Sequence, residues 1–138
     1  MPFPLRVVSV EESVFEGEAG YLLATGVDGE LGILAGHSPL LATLAPGQLV
    51  IKDEVGGPDK EVLFVGGGFL EVLPDRVTVL ADVAERADDI NAEHAEEARR
   101  HAQERLQGDF SDEEKVEMTQ ALEMAEARLR LSRMRRGR

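Results

Sequence analysis

Apolar residues come first in short alternating runs and then, further along, at helical spacing. Runs at residues 5–10, 21–25, 30–34, 48–52, 60–65, 69–73 and 77–83 read as β-strands. In the last run Val77, Val79, Ala81 and Val83 fall on one face, with Thr78, Leu80 and Asp82 opposite. Turn signals separate the runs at Asp28-Gly29, Pro46-Gly47, Gly56-Gly57-Pro58 and Pro74-Asp75. Many short strands at such spacing predict an all-β sandwich or flattened barrel over residues 1–86. Aromatic residues are only 4% of the chain, so Val, Leu and Ile must fill its core.

After Arg86 the composition shifts to Ala, Glu and Arg, and glycine becomes rare, which favours helix over residues 87–138. Asp88-Asp89 is expected to cap the first helix. Ala95, Ala98, Ala102 and Leu106 are predicted to form its apolar stripe. Gln107-Gly108-Asp109 breaks it, and Ser111 with Glu114 forms a capping box for a second helix. That helix runs about 25 residues, or roughly 40 Å. Met118, Leu122, Ala125 and Leu129 give it a seam, so the pair reads as an antiparallel hairpin. One alanine-rich seam buries little surface, so this hairpin is expected to need a docking surface.

Charge changes the picture at the C-terminus. The net charge is −12. Six of the 15 basic residues are Arg128, Arg130, Arg133, Arg135, Arg136 and Arg138, and no acid follows Glu126. Residues 1–127 therefore hold nine basic against 27 acidic residues, a net of −18, and the tail holds +6. The acidic body opposes nucleic acid, and no aromatic stacking set is interleaved with the arginines. The tail alone suits an acidic protein surface. The chain has no cysteine, which excludes disulfides and thiolate metal sites. No apolar run approaches the roughly 20 residues that span a bilayer, and no signal peptide is visible. Membrane association is expected only through partners.

Catalytic chemistry is not legible. No phosphate-cradling loop, nucleophile elbow or zinc signature is seen. Gly66-Gly67-Gly68 precedes a strand rather than a helix, so it reads as a bulge or a close backbone approach instead of an anion cradle. His94 and His101 stand about two helical turns apart, too far to share a metal, and are expected on a solvated face. The stretch from Asp28 to Leu41 reads as a hairpin, a strand and an exposed loop, with Gly36 and Pro39 shaping the loop. Carrying Glu30 and His37, it suits a contact surface better than a pocket.

Three blocks carry a family resemblance: Gly29-Glu30-Leu31-Gly32-Ile33-Leu34 followed by Gly36-His37-Ser38-Pro39-Leu40; Gly66-Gly67-Gly68-Phe69-Leu70-Glu71-Val72; and Val77-Thr78-Val79-Leu80-Ala81 with Ala84-Glu85-Arg86. In order and spacing they resemble the epsilon subunit of F-type ATP synthases. The resemblance implies a non-catalytic rotor subunit, with a sandwich at residues 1–86 and a helical hairpin at residues 87–138. It implies a sandwich bound to the gamma subunit and the c-ring, with Glu30 and His37 meeting the polar loops of the c-ring. It implies a hairpin able to extend toward the alpha/beta catalytic head and inhibit ATP hydrolysis, where Arg128, Arg130, Arg133, Arg135 and Arg136 would meet acidic surfaces. A peripheral place on the cytoplasmic side of a bacterial cell membrane follows. No cofactor is expected. An alternative is an ATP-sensing module, since some members bind ATP through Ile/Leu-Asp-x-x-Arg-Ala. Here that segment is Ile90-Asn91-Ala92-Glu93-His94-Ala95, which lacks the family's Asp and Arg and so disfavours ATP.

Overall fold

The computed structural model describes residues 2–108 and 111–136. The expectations placed on Asp109, on Arg138 and on the side chains of Arg135 and Arg136 lie outside the described residues. The chain divides into two compact units, Met1–Arg86 and Ala87–Arg138.

The first unit is an eight-stranded sheet folded into an open sandwich. Its strands are β1 (Phe3–Ser9), β2 (Ser13–Ala19), β3 (Tyr21–Gly26), β4 (Gly29–Leu34), β5 (Leu40–Lys52), β6 (Asp59–Leu73), β7 (Arg76–Ala81) and β8 (Ala84–Arg86). They are ordered β2-β1-β7-β6-β5-β3-β4, and β8 also pairs with β6. All pairs are antiparallel except β1 with β7. The long strands β5 and β6 belong to both layers. Gly68 to Leu73 of β6 pair with β7, whereas Leu63 to Val65 pair with β8. The core between the layers is aliphatic, with Leu5, Val7, Leu70, Val72, Val77 and Val79 meeting Leu22, Ile33, Leu49, Ile51 and Leu63.

The layers join at a corner built by glycine. Residues 60–65 and 69–73, expected as two strands, are one strand bent through Gly66-Gly67-Gly68. Gly67 and Gly68 adopt φ of +103° and +128°, where a side chain is strained. A Cβ on Gly68 would lie 2.1 Å from the Leu80 carbonyl oxygen, so this is a close backbone approach. The Gly66 amide donates to the Val83 carbonyl at 2.8 Å, and the Asp82 amide donates to the Gly67 carbonyl at 3.0 Å. The same corner overturns the turn expected at Pro46-Gly47. Pro46 pairs with Gly66 and Gly47 with Val65, inside β5. Proline lacks a donor, and the bend is where a strand tolerates that loss.

Other boundaries moved for local reasons. The β3–β4 hairpin turns at Val27 and Asp28, with Gly29 already paired to Gly26 at φ +128°. The run 77–83 ends as strand at Ala81, because Asp82 and Val83 turn the corner. Its alternation holds up to there: Val77, Val79 and Ala81 are buried and Leu80 is exposed. β2 and β8 were not expected. β2 interleaves Glu16 and Glu18 with Gly17 and gives almost no apolar alternation.

The described residues of the second unit form a 3-10 turn (Ala87–Asp89), α1 (Ala92–Leu106) and α2 (Asp112–Arg136). Asp88 and Asp89 lie in the 3-10 turn rather than at the cap. Asn91 caps α1 instead, its side-chain oxygen accepting from the His94 amide at 3.0 Å. At the start of α2 the Glu114 amide donates to Ser111 Oγ at 3.2 Å, as the capping box predicts. Ala95 and Ala102 are buried on α1, but Ala98 is exposed and Arg99 takes its place half-buried. At about 100° per residue, a step of four from Ala95 stays nearer the Ala102–Leu106 line than a step of three. On α2 Met118 and Leu122 are half-buried, while Ala125 and Leu129 are buried.

Substituting Gly68 by Ala is expected to lower stability in chemical denaturation by about 1–3 kcal/mol from backbone strain alone, with the Leu80 clash added. Gly36 also has positive φ, at +82°, but nothing lies within 4 Å of its would-be Cβ. Gly36→Ala should therefore cost only the left-handed backbone strain, about 1–2 kcal/mol.

Candidate partner-binding surfaces

Glu30 and His37 flank β4. Glu30 is exposed one residue into the strand, opposite Thr25. His37 follows the strand's other end, half-buried, with its Nδ1 2.7 Å from the Ser38 carbonyl and its amide donating to the Leu34 carbonyl at 3.1 Å. Between Glu30 and Leu34 runs roughly 13 Å of extended strand. The two residues are thus separate points on one strand-and-loop surface and do not form an acid/base couple. Beside the loop, Gly20, Leu34, Ala35, Gly36, Asp53, Glu54 and Val55 line a shallow hollow of about 440 Å³.

A surface the alternation of β6 and β7 concealed lies on the outer face of the sandwich. Phe69 and Leu80 are directly opposite each other, and each is about half exposed. Val8 lies opposite Leu80 on β1, and Thr43 opposite Phe69 on β5. Leu41, two residues from Thr43, is 69% exposed on the same face. Val8, Leu80 and Phe69 thus form one apolar row that ends at Thr43, with Arg6, Thr78, Glu71 and Leu41 in the row beside it. The signal was present in the sequence: Leu80 and Phe69 occupy outward positions where a solvated sheet takes polar residues.

In the second unit the basic end of α2 lies against the start of α1. Arg133 is exposed, and its Nη2 is 3.9 Å from Glu96 Oε2. Arg99 forms a short ion pair with the same carboxylate and sits within the field of Glu126 on α2. The hydrogen bond from Arg99 holds the Glu96 carboxyl below the ordinary carboxylate range. Partial burial opposes that shift, while the charges of Arg99, Arg100 and Arg133 add to it. Arg130 is exposed and Arg128 half-buried. Sequence reasoning placed the arginines but missed Glu96, because only the helix register singles it out among 27 acids.

The segment Ile90-Asn91-Ala92-Glu93-His94-Ala95 opens α1, where Asn91 serves as the cap. A groove of about 480 Å³ beside it is lined by Glu93, Glu96, Glu97, Arg100, Leu129, Ser132 and Arg133, together with Ala92. His94 and His101 are exposed. Among the described residues no group of three or more His, Cys, Asp or Glu is placed to hold a metal ion. No helix among them is long and apolar enough to cross a membrane.

Known proteins match both units. Residues 2–87 match the family described as ATP synthase, Delta/Epsilon chain, beta-sandwich domain. Residues 88–133 match the ATP synthase, Delta/Epsilon chain, long alpha-helix domain. The ATP synthase epsilon chain of Chromohalobacter salexigens is 46% identical over 128 residues, covering 93% of this chain and 89% of the relative. The chain belongs to the ATP synthase epsilon family. A second epsilon chain, from Herpetosiphon aurantiacus, is 42% identical over 139 residues, covering 100% and 99% of the two chains. The fold also matches a chain in the Euglena gracilis mitochondrial ATP synthase (OSCP/F1/c-ring), with TM-score 0.79 and 24% identity over 91% of this chain and 78% of that one. A chain of the Tetrahymena thermophila mitochondrial ATP synthase central stalk and c-ring matches with TM-score 0.70 and 14% identity, over 96% and 97%. An epsilon chain is a component of a membrane-associated complex, so the surfaces above are read as places where other subunits meet it.

The pH response of the epsilon hairpin follows from Glu96. Its folded-state pKa is depressed. The stabilisation is therefore present above the unfolded glutamate value, near 4.3, and is lost as pH falls through the lower folded value. Thermal melts followed by far-UV circular dichroism should show a flat response from neutral pH to about 5 from this group. Below about 4.5 stability should fall, and Glu96→Gln should remove that part of the acid slope.

Proposed function

We propose that this epsilon chain is the non-catalytic central-stalk subunit of a proton-translocating ATP synthase. In this reading it couples c-ring rotation to the catalytic head and restrains ATP hydrolysis through its helices. The observation that carries it is the exposed apolar row on an otherwise complete sandwich. Isolated surface apolar residues need no explanation, but Val8, Leu80 and Phe69 adjoin in cross-strand register, with Leu41 in the next row of the same face. A subunit that turns with a shaft needs such a patch, and the occupant of this one is the gamma subunit. Glu30 and His37, on the strand and loop of β4, meet the polar loops of the c-ring. The chain reaches the cytoplasmic side of the cell membrane only through these partners.

Arg128, Arg130, Arg133, Arg135 and Arg136 are the inhibitory tip. When the hairpin extends they meet acidic surfaces of the alpha/beta head, and the strength of that contact falls as salt rises. The subunit holds no nucleotide in this reading. The groove at the start of α1 sets three carboxylates, Glu93, Glu96 and Glu97, against Arg100 and Arg133, and three carboxylates repel a triphosphate. The segment also lacks the Asp and Arg of the ATP-binding pattern.

Two experiments test the reading. Phe69→Lys and Leu80→Lys lie on an exposed face, so the variants should fold. Each should weaken binding to purified gamma about tenfold or more by surface plasmon resonance; wild-type affinity would remove gamma from this face. Deleting residues 128–138 should raise the ATPase activity of the reconstituted head severalfold, and unchanged activity would overturn the inhibitory role.

A further inference from the structure

We infer that Glu96 is a latch that competes with the catalytic head for the hairpin's basic end. The inference rests on the inhibitory reading of the tail and adds the element that holds it back. Glu96 lies one turn into α1, and the Asn91 cap fixes that turn. Its carboxylate meets Arg99 from its own helix and Arg133 from α2. Arg99 also hydrogen-bonds Gln103 and, through its charge, feels Glu126 of α2. The carboxylate thus stands between a guanidinium of its own helix and one that departs with α2 when the hairpin opens.

The arrangement separates two roles. Arg99 is four residues from Ala95 and three from Ala102 on the buried side of α1, so its stem is half-buried and its head pre-orients Glu96. Arg133 is largely exposed, and its remaining packing is that of the last turns of α2, where Leu129 and Ser132 are buried. In the closed hairpin Arg133 faces Glu96; once the hairpin extends, the same guanidinium is available to an acidic partner surface. One arginine cannot serve both. The closed state is therefore favoured by Glu96 and opposed by the partner, and the tail inhibits only where the partner's acids outcompete one carboxylate. Glu93 and Glu97 line the same groove and add negative potential around Arg133. Glu96 approaches it to 3.9 Å.

The absence of cysteine allows a direct measurement on the full chain. Cysteines replacing the exposed His94 and Met134 carry nitroxide labels, and pulsed dipolar spectroscopy reads the distance between α1 and the end of α2. In the unaltered background the short distance should dominate. Glu96→Gln and Arg133→Gln should each raise the long-distance fraction about two- to fivefold, the range for exposed ion pairs. The double variant should rise no further than either single one, because both remove one interaction. Far-UV circular dichroism run alongside must show retained helix, which separates opening from unfolding. An unchanged distance distribution, additive effects in the double variant, or loss of helix in place of opening would overturn the latch. The ATPase assay then separates the two readings. If Glu96→Gln opens the hairpin and hydrolysis by the reconstituted head falls, both stand. If it opens the hairpin and hydrolysis is unchanged, the latch stands and the inhibitory role of the tail is lost.

Discussion

The backbone of β6 passes the Leu80 carbonyl so closely at Gly68 that no side chain fits between them. Everything else in the sandwich depends on that approach. A single ladder between β5 and β6 serves both layers only if it turns, and it turns where three consecutive glycines offer freedom of φ and absence of Cβ. The corner also sends residues 82 and 83 across to β8, with the Gly66 and Asp82 amides bonded on either side of it. Two layers brought face to face in this way bury an almost wholly aliphatic core despite the scarcity of aromatics. The outer face of β6 and β7 is then rigid. A row such as Val8, Leu80 and Phe69 offers a partner a preformed surface that loses little conformational entropy on binding.

How much of this was legible in the sequence divides along physical lines. Alternation located the interior strands because one face of each is buried, and that burial is what period-two patterning records. It failed for β2, an edge strand in which Glu16 and Glu18 keep the free edge soluble and leave no apolar rhythm. It failed at Pro46-Gly47, where residues typical of turns mark a bend inside a strand. On α1 the stripe slipped by one residue, because Arg99 buries its stem where an alanine was expected. Glu30 and His37 became candidates through family resemblance, since their spacing alone predicts a plain hairpin and loop. The arginine end stood out by charge asymmetry, whereas Glu96 needed the register of two helices before it could be told from its neighbours.

The two units are stabilised by different means. The sandwich has a continuous core in which Val7, Leu22, Ile33, Ile51, Leu63, Leu70 and Val79 are fully buried. The helices rely on smaller contributions: the Asn91 cap, the Ser111–Glu114 box, buried alanines and a ladder of half-exposed charges. Each of these is modest, and several depend on pH or salt. A sandwich with a continuous core and helices held by adjustable interactions suit a chain whose two units do different work.

Magnitude decides what kind of device the charge ladder is. A buried, fully desolvated ion pair would cost much to break and would fix the hairpin in one state. An exposed pair such as Glu96 with Arg133 is weak, screened by salt and readily replaced by another carboxylate. Weakness is what a competitive latch requires, because an equilibrium responds to a partner only if the partner's differential affinity exceeds the bias already present. Arg99 supplies what the weak pair lacks, a fixed orientation of the carboxylate, so that little side-chain entropy is lost when Arg133 returns. The position of the hairpin is then governed by which acidic surface lies within reach of one guanidinium, and the surrounding acidic chain ensures that the competing partner must present a dense negative surface to win.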